Sequence, residues 1–518
     1  MRIVRFVQNR WLIPVVIGGA ALGVRLLAGP RTIDDAYITF RYARNLADGF
    51  GFVYNPGQRV LGTTTPLYTL LMAIAWRLGW HDLPWVALAL NAVVDAATAV
   101  LLYWLGLRLA GSHIVAVGAG LAWAVSPMSV TFAIGGMETS AVIFFLVASF
   151  AAYAAGRSRL SAAVMALAVL TRPDALIGAG LLFGDMALRP LLALGNGLWS
   201  VRLRRLPWAE AVVFGGLLAP WVLFAMGYFG SPLPQSVQAK VRAYHMAEFQ
   251  ALLRLIQHLS TPFFEHLTFG RFWPAVGLPL YLVLYLSGGL RLARHESRTL
   301  PLFLYPLVYV AVFSAANPLL FRWYLAPPLP FYFLGILTGL GSILIDLGRR
   351  YGRERAGSWV LGLVTPLLLL CSLQEYTPHP DHGLDRPAPK MAWYRLELLY
   401  RQAAEQVRDR LQPGDIVAAA DIGAVGWFTG APILDTLGLI SPESLPYYPL
   451  DPSLLVISYA IAPELIRDLR PDYLISLEVY VRQTLLPAPW FQEGYVLVDR
   501  LETDIYGSEG MLIFEQRR

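Results

Sequence analysis

Two adjacent carboxylates, Asp34 and Asp35, lie a few residues after the first apolar segment of the chain, residues 11–28. Burying ionised carboxylates at the edge of a bilayer costs free energy, so such a pair indicates a function. One of the two could cap the helix that begins near Ala36, but capping accounts for a single carboxylate. A carboxylate that faces a cavity can accept the proton of an attacking hydroxyl group, which is general-base chemistry.

Two further charged residues lie at the edges of later apolar segments. Glu138 begins a predicted helix in "IGGMETSAVIFF", where an acid also interacts favourably with the helix dipole. Arg172 lies among apolar residues in "LTRPDALIG", and a charge at membrane depth indicates a function by default. The alternative for Arg172 is an ion pair with a nearby acid such as Asp174.

A basic cluster follows in the stretch "SPLPQSVQAKVRAYH", which contains Lys240, Arg242 and His245. The chain has two lysines, Lys240 and Lys390, and both fall in segments expected outside the membrane. Cations of this kind bind phosphate oxygens through charge-assisted hydrogen bonds. The alternative is an ordinary solvated surface cluster.

Acids beside cations at an outer membrane surface suit the transfer of a sugar from a lipid phosphate. The leaving phosphate gains charge as the sugar departs, and cations held in place stabilise that charge. The attacking hydroxyl needs one carboxylate to accept its proton. One acid and one cationic phosphate site are therefore sufficient, whereas glycoside hydrolysis divides acid and base work between two carboxyl groups.

The composition predicts a polytopic α-helical membrane protein. The 518 residues are 56% hydrophobic and 15% charged, whereas soluble domains have about 25% charged residues. The mean hydropathy is +0.52. The net charge of +6 comes from basic residues spread among loops, which argues against a nucleic-acid partner. The single cysteine, Cys371, excludes an internal disulfide.

A helix needs about 20 apolar residues to cross the hydrocarbon core of a bilayer. About eleven segments are candidates by this criterion: 11–29, 84–107, 113–134, 138–155, 160–172, 174–188, 208–229, 272–290, 300–316, 323–346 and 358–376. The pair 160–172 and 174–188 is doubtful, because Arg172, Pro173 and Asp174 interrupt it and each half is short.

Arginines in the connecting loops predict the orientation, since cytoplasmic loops are enriched in Lys and Arg. If the apolar segment 65–80 lies along the outer surface, one set of loops carries Arg2, Arg5, Arg10, Arg108, Arg157, Arg159, Arg189, Arg202, Arg204, Arg205, Arg291, Arg294, Arg298, Arg349, Arg350, Arg353 and Arg355. The chain is then a multi-pass protein of the cytoplasmic membrane, and its N-terminus lies on the cytoplasmic side. Segment 30–83 and the tail after residue 376 are then outside.

The tail differs in kind from the membrane part. "GDIVAAADIGAVGWFTG" is typical of a strand, a glycine turn and a short helix, and "PELIRDLRPDYLISL" of a helix followed by a strand. The chain therefore divides into a membrane domain, 1–376, and an extracytoplasmic α/β domain, 377–518. Gly423, Gly426 and Gly430 lack the G-x-G-x-x-G spacing, so turns explain them better than a nucleotide site.

Several of these stretches together resemble one family. "DDAYITFRYARNLADGFGFVYNPGQRVLGTTTPLY", "GGMET", "LTRPDAL" and "GSPLPQSVQAKV" occur in that order. They resemble the GT-C superfamily of integral membrane glycosyltransferases, most of all its bacterial arabinofuranosyltransferase-like members. The resemblance covers most of residues 11–346, and the tail looks like the extracytoplasmic domain that some members append.

The resemblance implies a GT-C-like fold and a polyprenyl-phosphate-linked sugar as the donor. It places Asp34 and Asp35 near the catalytic centre in the first outer loop and matches Glu138 to an acid of the second outer loop. The chain departs from the family in having two aspartates where DE is usual, and Gln235 where Asn is frequent. Which carboxylate is the base therefore stays open.

These considerations predict an inverting glycosyltransferase that moves a sugar from a polyprenyl-phosphate donor to a hydroxyl of a glycan, lipid or protein. Asp34 is the preferred base, with Asp35 capping or orienting the helix. The residues expected to bind the donor phosphate are Arg172 and at least one of Lys240, Arg242 and His245. No cofactor or metal is expected, because the donor carries a single phosphate and no histidine cluster accompanies the acids.

Three alternatives stay open. A divalent cation bound by Asp34, Asp35 and Glu138 is one, because such ions prefer carboxylate oxygens. A transporter or flippase for a polyprenyl-linked sugar needs the cations but no base, and would place polar groups near mid-membrane. A membrane-anchored glycan-binding protein would leave the two aspartates without a role. The crowding of acids at the outer edge favours the transferase.

Overall fold

The computed structural model describes residues 11–193, 206–379, 386–390 and 393–517. The helices of the membrane part are α1 (Leu12–Ala28), α2 (Asp34–Ala47), α3 (Pro66–Arg77), α4 (Leu83–Ala110), α5 (His113–Val125), α6 (Pro127–Ile134), α7 (Thr139–Ala154), α8 (Ser158–Thr171), α9 (Leu176–Ala193), α10 (Trp208–Phe229), α11 (Gln235–Ala243), α12 (Gln250–Leu259), α13 (His266–Phe269), α14 (Trp273–His295), α15 (Leu300–Ala316), α16 (Leu329–Arg350) and α17 (Glu354–Leu373). The loop arginines that lie outside the described residues are Arg2, Arg5, Arg10, Arg202, Arg204 and Arg205.

The chain is a multi-pass membrane protein. Among the described residues, the helices long and apolar enough to cross a membrane are Leu83–Ala110, Trp208–Phe229, Trp273–His295, Ser297–Ala316, Arg322–Arg350 and Glu354–Leu373. The bent pair α5–α6 makes a seventh span if it counts as one. Helices α1, α7 and α8 are apolar but shorter. The predicted segments are therefore helical, but six or seven of them, rather than eleven, meet the length requirement.

Two prolines shape the helices of the membrane part. The predicted span 113–134 consists of two helices, α5 and α6, with a bend of 43° between them. Pro127 lacks a backbone donor and disfavours helical geometry at Ser126, which accounts for the bend. The predicted interruption at Arg172 is present, since its extended backbone (φ −153°, ψ 133°) ends α8 just before Pro173. The Arg172 side chain therefore leaves the helix at its end.

The loop after α1 contains α2 and α3. Helix α3 has 12 residues, too few to cross a bilayer, and Leu70, Leu71 and Ile74 on it are exposed. An exposed apolar face on a short helix agrees with the predicted position along the membrane surface. Helix α2 packs on α3 and buries most of its own residues, including Asp34 and Arg41.

A buried ion pair joins the helices next to this loop. Arg25 Nε donates a hydrogen bond to Asp95 at 2.8 Å, and both side chains are fully buried. Their other partners are the carbonyl groups of Ala21 and Ala124 and the side chains of Ser129, Trp123 and Ser140. The network thereby connects α1, α4, α5, α6 and α7.

The tail is an α/β unit, as predicted. Its helices are α18 (Trp393–Arg408), α19 (Gly423–Thr429), α20 (Pro463–Leu469) and α21 (Pro489–Gly494). Strands β1 (Tyr376–His379) and β2 (Arg386–Pro389) form a hairpin. The other strands are β3 (Val417–Ala419), β4 (Ile433–Asp435), β5 (Tyr473–Leu477), β6 (Tyr495–Leu501) and β7 (Met511–Gln516). They form one sheet in the order β4-β3-β5-β7-β6, parallel for the first three and antiparallel beyond.

The tail packs closely on the loop between α1 and α4. Arg41, 2% exposed, donates hydrogen bonds to the carbonyl groups of Tyr54 and Gly426. Asn55 exchanges two hydrogen bonds with the backbone of Ile433, at 2.8 and 3.0 Å. A Cβ on Gly426 would lie 1.9 Å from the Tyr54 hydroxyl, so this contact requires glycine. The glycine explains a close approach, not a nucleotide site.

Candidate active site

A cavity of about 240 Å³ lies between α2, the start of α7 and the end of α8. Its charged lining residues are Asp35, Glu138, Arg172, Asp174 and Lys240. Four of these five residues are candidates from the sequence, and they come from four separate parts of the chain. The cavity thus brings acids and cations together as the sequence predicts.

Backbone pairing brings the segment before α2 beside the segment between α6 and α7. The amides of Arg31 and Ile33 donate hydrogen bonds to the carbonyl groups of Ile134 and Gly135, at 2.7 and 3.0 Å. The next residue, Gly136, has φ +74°, a left-handed conformation that favours glycine. The turn that results places the acid at the start of α7 beside the start of α2.

Asp35, and not Asp34, lines the cavity. Successive residues on a helix point about 100° apart, so the two carboxylates diverge. Among the described residues, none donates a hydrogen bond to the Asp35 carboxylate. Burial raises the pKa of Asp35, and the charge of Lys240 lowers it. The expectation that Asp34 faces the cavity while Asp35 supports it is therefore corrected.

Asp34 is bound by the tail. Its carboxylate accepts hydrogen bonds from the amides of Gly423 and Ala424, at 2.9 and 2.7 Å. Burial and the charge of Asp421 raise the pKa of Asp34, and the Ala424 amide lowers it. A Cβ on Gly423 would lie 1.8 Å from the Asp34 carbonyl oxygen. Asp34 therefore holds the start of α2 against the start of α19.

Arg172 lies in the cavity wall within an ion pair. Its Nε and Nη2 donate hydrogen bonds to the Asp174 carboxylate at 3.0 and 2.8 Å. Glu138 Oε1 lies 3.8 Å from Nε, and the guanidinium carbon lies 4.8 Å from the Tyr324 ring centre. The ion pair with Asp174, which the sequence offered as the alternative, is present. Arg172 nevertheless lines the cavity.

Lys240 reaches the cavity from α11, with its ammonium 4.8 Å from the Phe321 ring centre. Arg242 and His245 are exposed and do not line the cavity. Residues two apart on a helix point about 200° apart, so Arg242 faces away from the side that Lys240 uses. His245 lies beyond the end of α11. The structure therefore brings one of the three expected cations of this segment to the site.

Some cavity residues were not singled out in the sequence. The hydroxyl groups of Thr63 and Thr65 lie 3.0 Å apart, and Thr39 Oγ1 lies 3.2 Å from Thr65 Oγ1. Three consecutive threonines in "LGTTTPLY" are a local signal for this polar wall. Leu439, a cavity residue from the tail, has no such signal, because its position depends on how the tail packs.

The three acids that could share a divalent ion are divided between two environments. Asp35 and Glu138 line the cavity, and Asp34 contacts the tail. Within the part of the chain that the structure describes, no group of three or more His, Cys, Asp or Glu residues is arranged to hold a metal ion.

Two comparisons by sequence cover parts of the chain. A family model described as a domain of unknown function (DUF8728) matches residues 391–514. A terminal β-(1→2)-arabinofuranosyltransferase of Mycobacterium tuberculosis is 30% identical over 225 residues, which cover 40% of this chain and 34% of that protein. The match thus spans about a third of that relative's length.

Solved structures match over nearly the entire chain. The Archaeoglobus fulgidus oligosaccharyltransferase in complex with zinc and sulfate is 13% identical, with 97% of this chain and 73% of that chain covered and a TM-score of 0.54. ArnT from Cupriavidus metallidurans bound to undecaprenyl phosphate is 13% identical, with 99% and 97% covered and a TM-score of 0.52. At these identities the likeness concerns the fold. The chain therefore shares its fold with these two proteins.

Proposed function

We propose that the protein is an inverting glycosyltransferase that moves a sugar from a polyprenyl-phosphate donor to a hydroxyl group of a glycan, lipid or protein. The observation that carries the proposal is the single cavity in which Asp35 lies near two cations, Arg172 and Lys240. ArnT, a structural neighbour, binds undecaprenyl phosphate, and the Mycobacterium tuberculosis relative is an arabinofuranosyltransferase. The first supports a lipid-phosphate donor, and the second supports sugar transfer.

Asp35 is the proposed general base. Its carboxylate accepts the proton of the acceptor hydroxyl while the hydroxyl oxygen bonds to the anomeric carbon of the donor sugar. The bond from that carbon to the phosphate oxygen breaks on the opposite face, so the configuration inverts. The donor phosphodiester carries one negative charge and the departing lipid phosphate carries two. Cations beside the phosphate therefore stabilise the transition state more than the ground state.

Lys240 and Arg172 are the proposed phosphate ligands, and they differ in how strongly they would bind the phosphate. The charge of Arg172 is already engaged by Asp174 in two hydrogen bonds. Lys240 carries a compact charge on a flexible stem, which can adjust to a phosphate oxygen. We therefore assign the main phosphate contact to Lys240, with Arg172 as the second ligand and Glu138 orienting Arg172.

The proposed site faces the extracytoplasmic side of the cytoplasmic membrane. Helix α16 ends at Arg349 and Arg350, whereas Trp323, just before its start, lines the cavity. Arg108 likewise lies at the end of α4 that is remote from the first outer loop. Because arginine-rich ends are cytoplasmic, the cavity and the tail are proposed to lie outside and the N-terminus inside. The proposed reaction uses no cofactor or metal.

The test compares isosteric variants of the acids in purified protein, with a synthetic polyprenyl-phosphate arabinofuranose as donor and a short arabinofuranoside as acceptor. Asp35→Asn retains the shape of the side chain but cannot accept the proton, so we expect turnover to fall about 10²–10⁴-fold. Donor affinity should not fall, because removing a negative charge beside Lys240 does not weaken the binding of an anion.

Glu138→Gln is the matched control and should lose less turnover, because its proposed role is to orient Arg172. Normal turnover by Asp35→Asn, together with an inactive Glu138→Gln or Asp34→Asn, would assign the base to another acid. Donor binding by the wild-type protein without any sugar transfer would instead favour a transporter or flippase, and acceptor binding alone a glycan-binding protein.

A further inference from the structure

The tail carries a carboxylate beside the proposed base that the reaction above does not use. Asp421 is partly buried and lies two residues before Gly423, whose amide binds Asp34. Its Oδ2 accepts a hydrogen bond from the Tyr400 hydroxyl at 2.5 Å. Burial raises the pKa of Asp421 to about 6, the Tyr400 hydroxyl opposes the rise, and the charge of Asp35 adds to it. Asp421 is therefore within electrostatic reach of the base.

The topology of the tail sheet favours a ligand at this place. Strands β4, β3 and β5 are parallel neighbours in that order. In open α/β sheets, ligands bind outside the carboxyl ends of parallel strands, where the connections leave toward opposite sides. The chain runs from β3 to β4 on one side, and β5 lies on the other side of β3. Asp421 follows β3 and Tyr480 follows β5, so both residues lie at this crevice.

Tyrosines from the membrane part and the tail lie around Asp421, whose charge acts on Tyr244, Tyr480 and Tyr506. Tyr244, just after α11, has its ring centre 5.9 Å from that of Tyr459, which is 5.4 Å from that of Tyr480. Tyr506 is 48% exposed, and burial together with the charge of Asp421 raises its pKa. Its φ of 57° is uncommon for a residue with a side chain, and such conformations cluster at functional sites.

We propose that this crevice is the acceptor subsite and that Asp421 binds a hydroxyl group of a carbohydrate acceptor. This inference rests on the proposed glycosyltransferase function. Small-molecule sites combine aromatic side chains with a few well-placed polar groups. The apolar faces of a sugar ring can pack on the aromatic side chains, and its hydroxyl groups can bind the polar groups. Tyr400 holds one carboxylate oxygen of Asp421 and so restricts its orientation. The acceptor then lies beside Asp421, with its attacking hydroxyl at Asp35.

Direct binding separates this inference from the transferase proposal. Full-length protein in lipid nanodiscs is titrated with the short synthetic arabinofuranoside by calorimetry, in the absence of donor. Asp421→Asn should weaken acceptor affinity about 10- to 100-fold, the usual effect of losing a hydrogen bond to a charged group. In turnover assays the acceptor KM should rise by a similar factor while the donor KM stays unchanged.

Asp468→Asn is the matched control, because Tyr447 donates a hydrogen bond to Asp468 at 3.1 Å on an exposed part of the tail. It should leave acceptor affinity unchanged. Tyr506→Ala changes an exposed side chain, so the protein should still fold while acceptor affinity falls about two- to tenfold.

The outcomes separate the two proposals. Three results would overturn the acceptor subsite. The first is wild-type acceptor affinity in both Asp421→Asn and Tyr506→Ala, and the second is a loss of affinity in Asp468→Asn equal to that in Asp421→Asn. The third is that the wild-type protein does not bind the arabinofuranoside. Acceptor binding that depends on Asp421, in a protein that never transfers sugar, would support the subsite and refute the transferase.

Discussion

The charge of Lys240 acts directly on the residue proposed as the base. Burial raises the pKa of Asp35, and Lys240 partly reverses the rise. The base works only when ionised, so turnover falls as the pH drops through this pKa. Lys240→Met removes the charge that favours the ionised form and thereby raises the pKa further. We expect the acidic limb of the kcat/KM profile to move to higher pH.

Arg242→Met is the control for this profile, since Arg242 lies on the same helix but is exposed and outside the cavity. Its acidic limb should coincide with that of the wild-type protein. If the acidic limb of Lys240→Met also coincided with that of the wild-type protein, Lys240 would not act on the base.

Helix geometry made one property of the two aspartates predictable from the sequence, namely that their side chains diverge. Adjacent positions diverge, so a pair with one carboxylate in the cavity and one elsewhere was predictable. Which of the two enters the cavity depends on Gly423 and Ala424, the partners of Asp34, which lie 389 and 390 positions away. Asp421 was missed for the same reason, because its tyrosine neighbours are distant in sequence.

At the scale of elements, the contact between α2 and α19 leaves no room for a side chain. A Cβ on Gly423 would lie 1.8 Å from the Asp34 backbone oxygen and 2.8 Å from its carboxylate. Gly423→Ala must therefore move the two elements apart, at a cost of about 1–3 kcal/mol. Because Asp35 adjoins Asp34, we expect both the thermal unfolding temperature and the turnover to fall.

Gly494→Ala is the matched control, because a Cβ there meets nothing within 4 Å. It should change neither the unfolding temperature nor the turnover. Wild-type behaviour of Gly423→Ala in both measurements would contradict the close contact between α2 and α19.

The elements themselves were largely predictable, because their signals are local. Apolar length predicts the membrane helices, and short apolar runs bounded by turn residues predict β3 and β5 in the tail. The bend at Ser126 was missed although Pro127 signals it, since the apolar run continues through the proline. The order of strands in the sheet was not predictable, because β5 pairs with β3 across the connection through β4.

At the scale of the whole molecule, the Arg25–Asp95 pair connects five helices. Asp95→Asn leaves the Arg25 guanidinium buried without its counter-charge, which typically costs about 3–5 kcal/mol. We expect a clear fall in the thermal unfolding temperature of the solubilised protein. The double variant Arg25→Met/Asp95→Leu removes both charges and should lose less stability. Equal losses in the single and double variants would show that the unpaired charge is not the cause.

The proposed orientation is a property of the whole chain and can be measured without substrate. A reporter that is active only outside the cytoplasm should be active when fused after Arg518. The same reporter fused after Gly352, between α16 and α17, should be inactive, because that loop is arginine-rich. The reverse pattern would place the cavity and the tail on the cytoplasmic side and contradict the proposed delivery of the donor.

The hydrogen bonds between Asp34 and the tail also determine when, during synthesis of the chain, the contacts around α2 can be completed. Helix α2 leaves the ribosome early, whereas its partners at the start of α19 lie 389 and 390 positions later. Contacts between segments so distant in sequence form late in folding. A nascent chain that ends before β3 already contains all the charged residues of the cavity, but its Asp34 carboxylate lacks the two amides of the tail that bind it. Under the proposed reaction and orientation, we therefore expect catalytic competence only after export and folding of the last domain, so that an unfinished chain would not consume the donor.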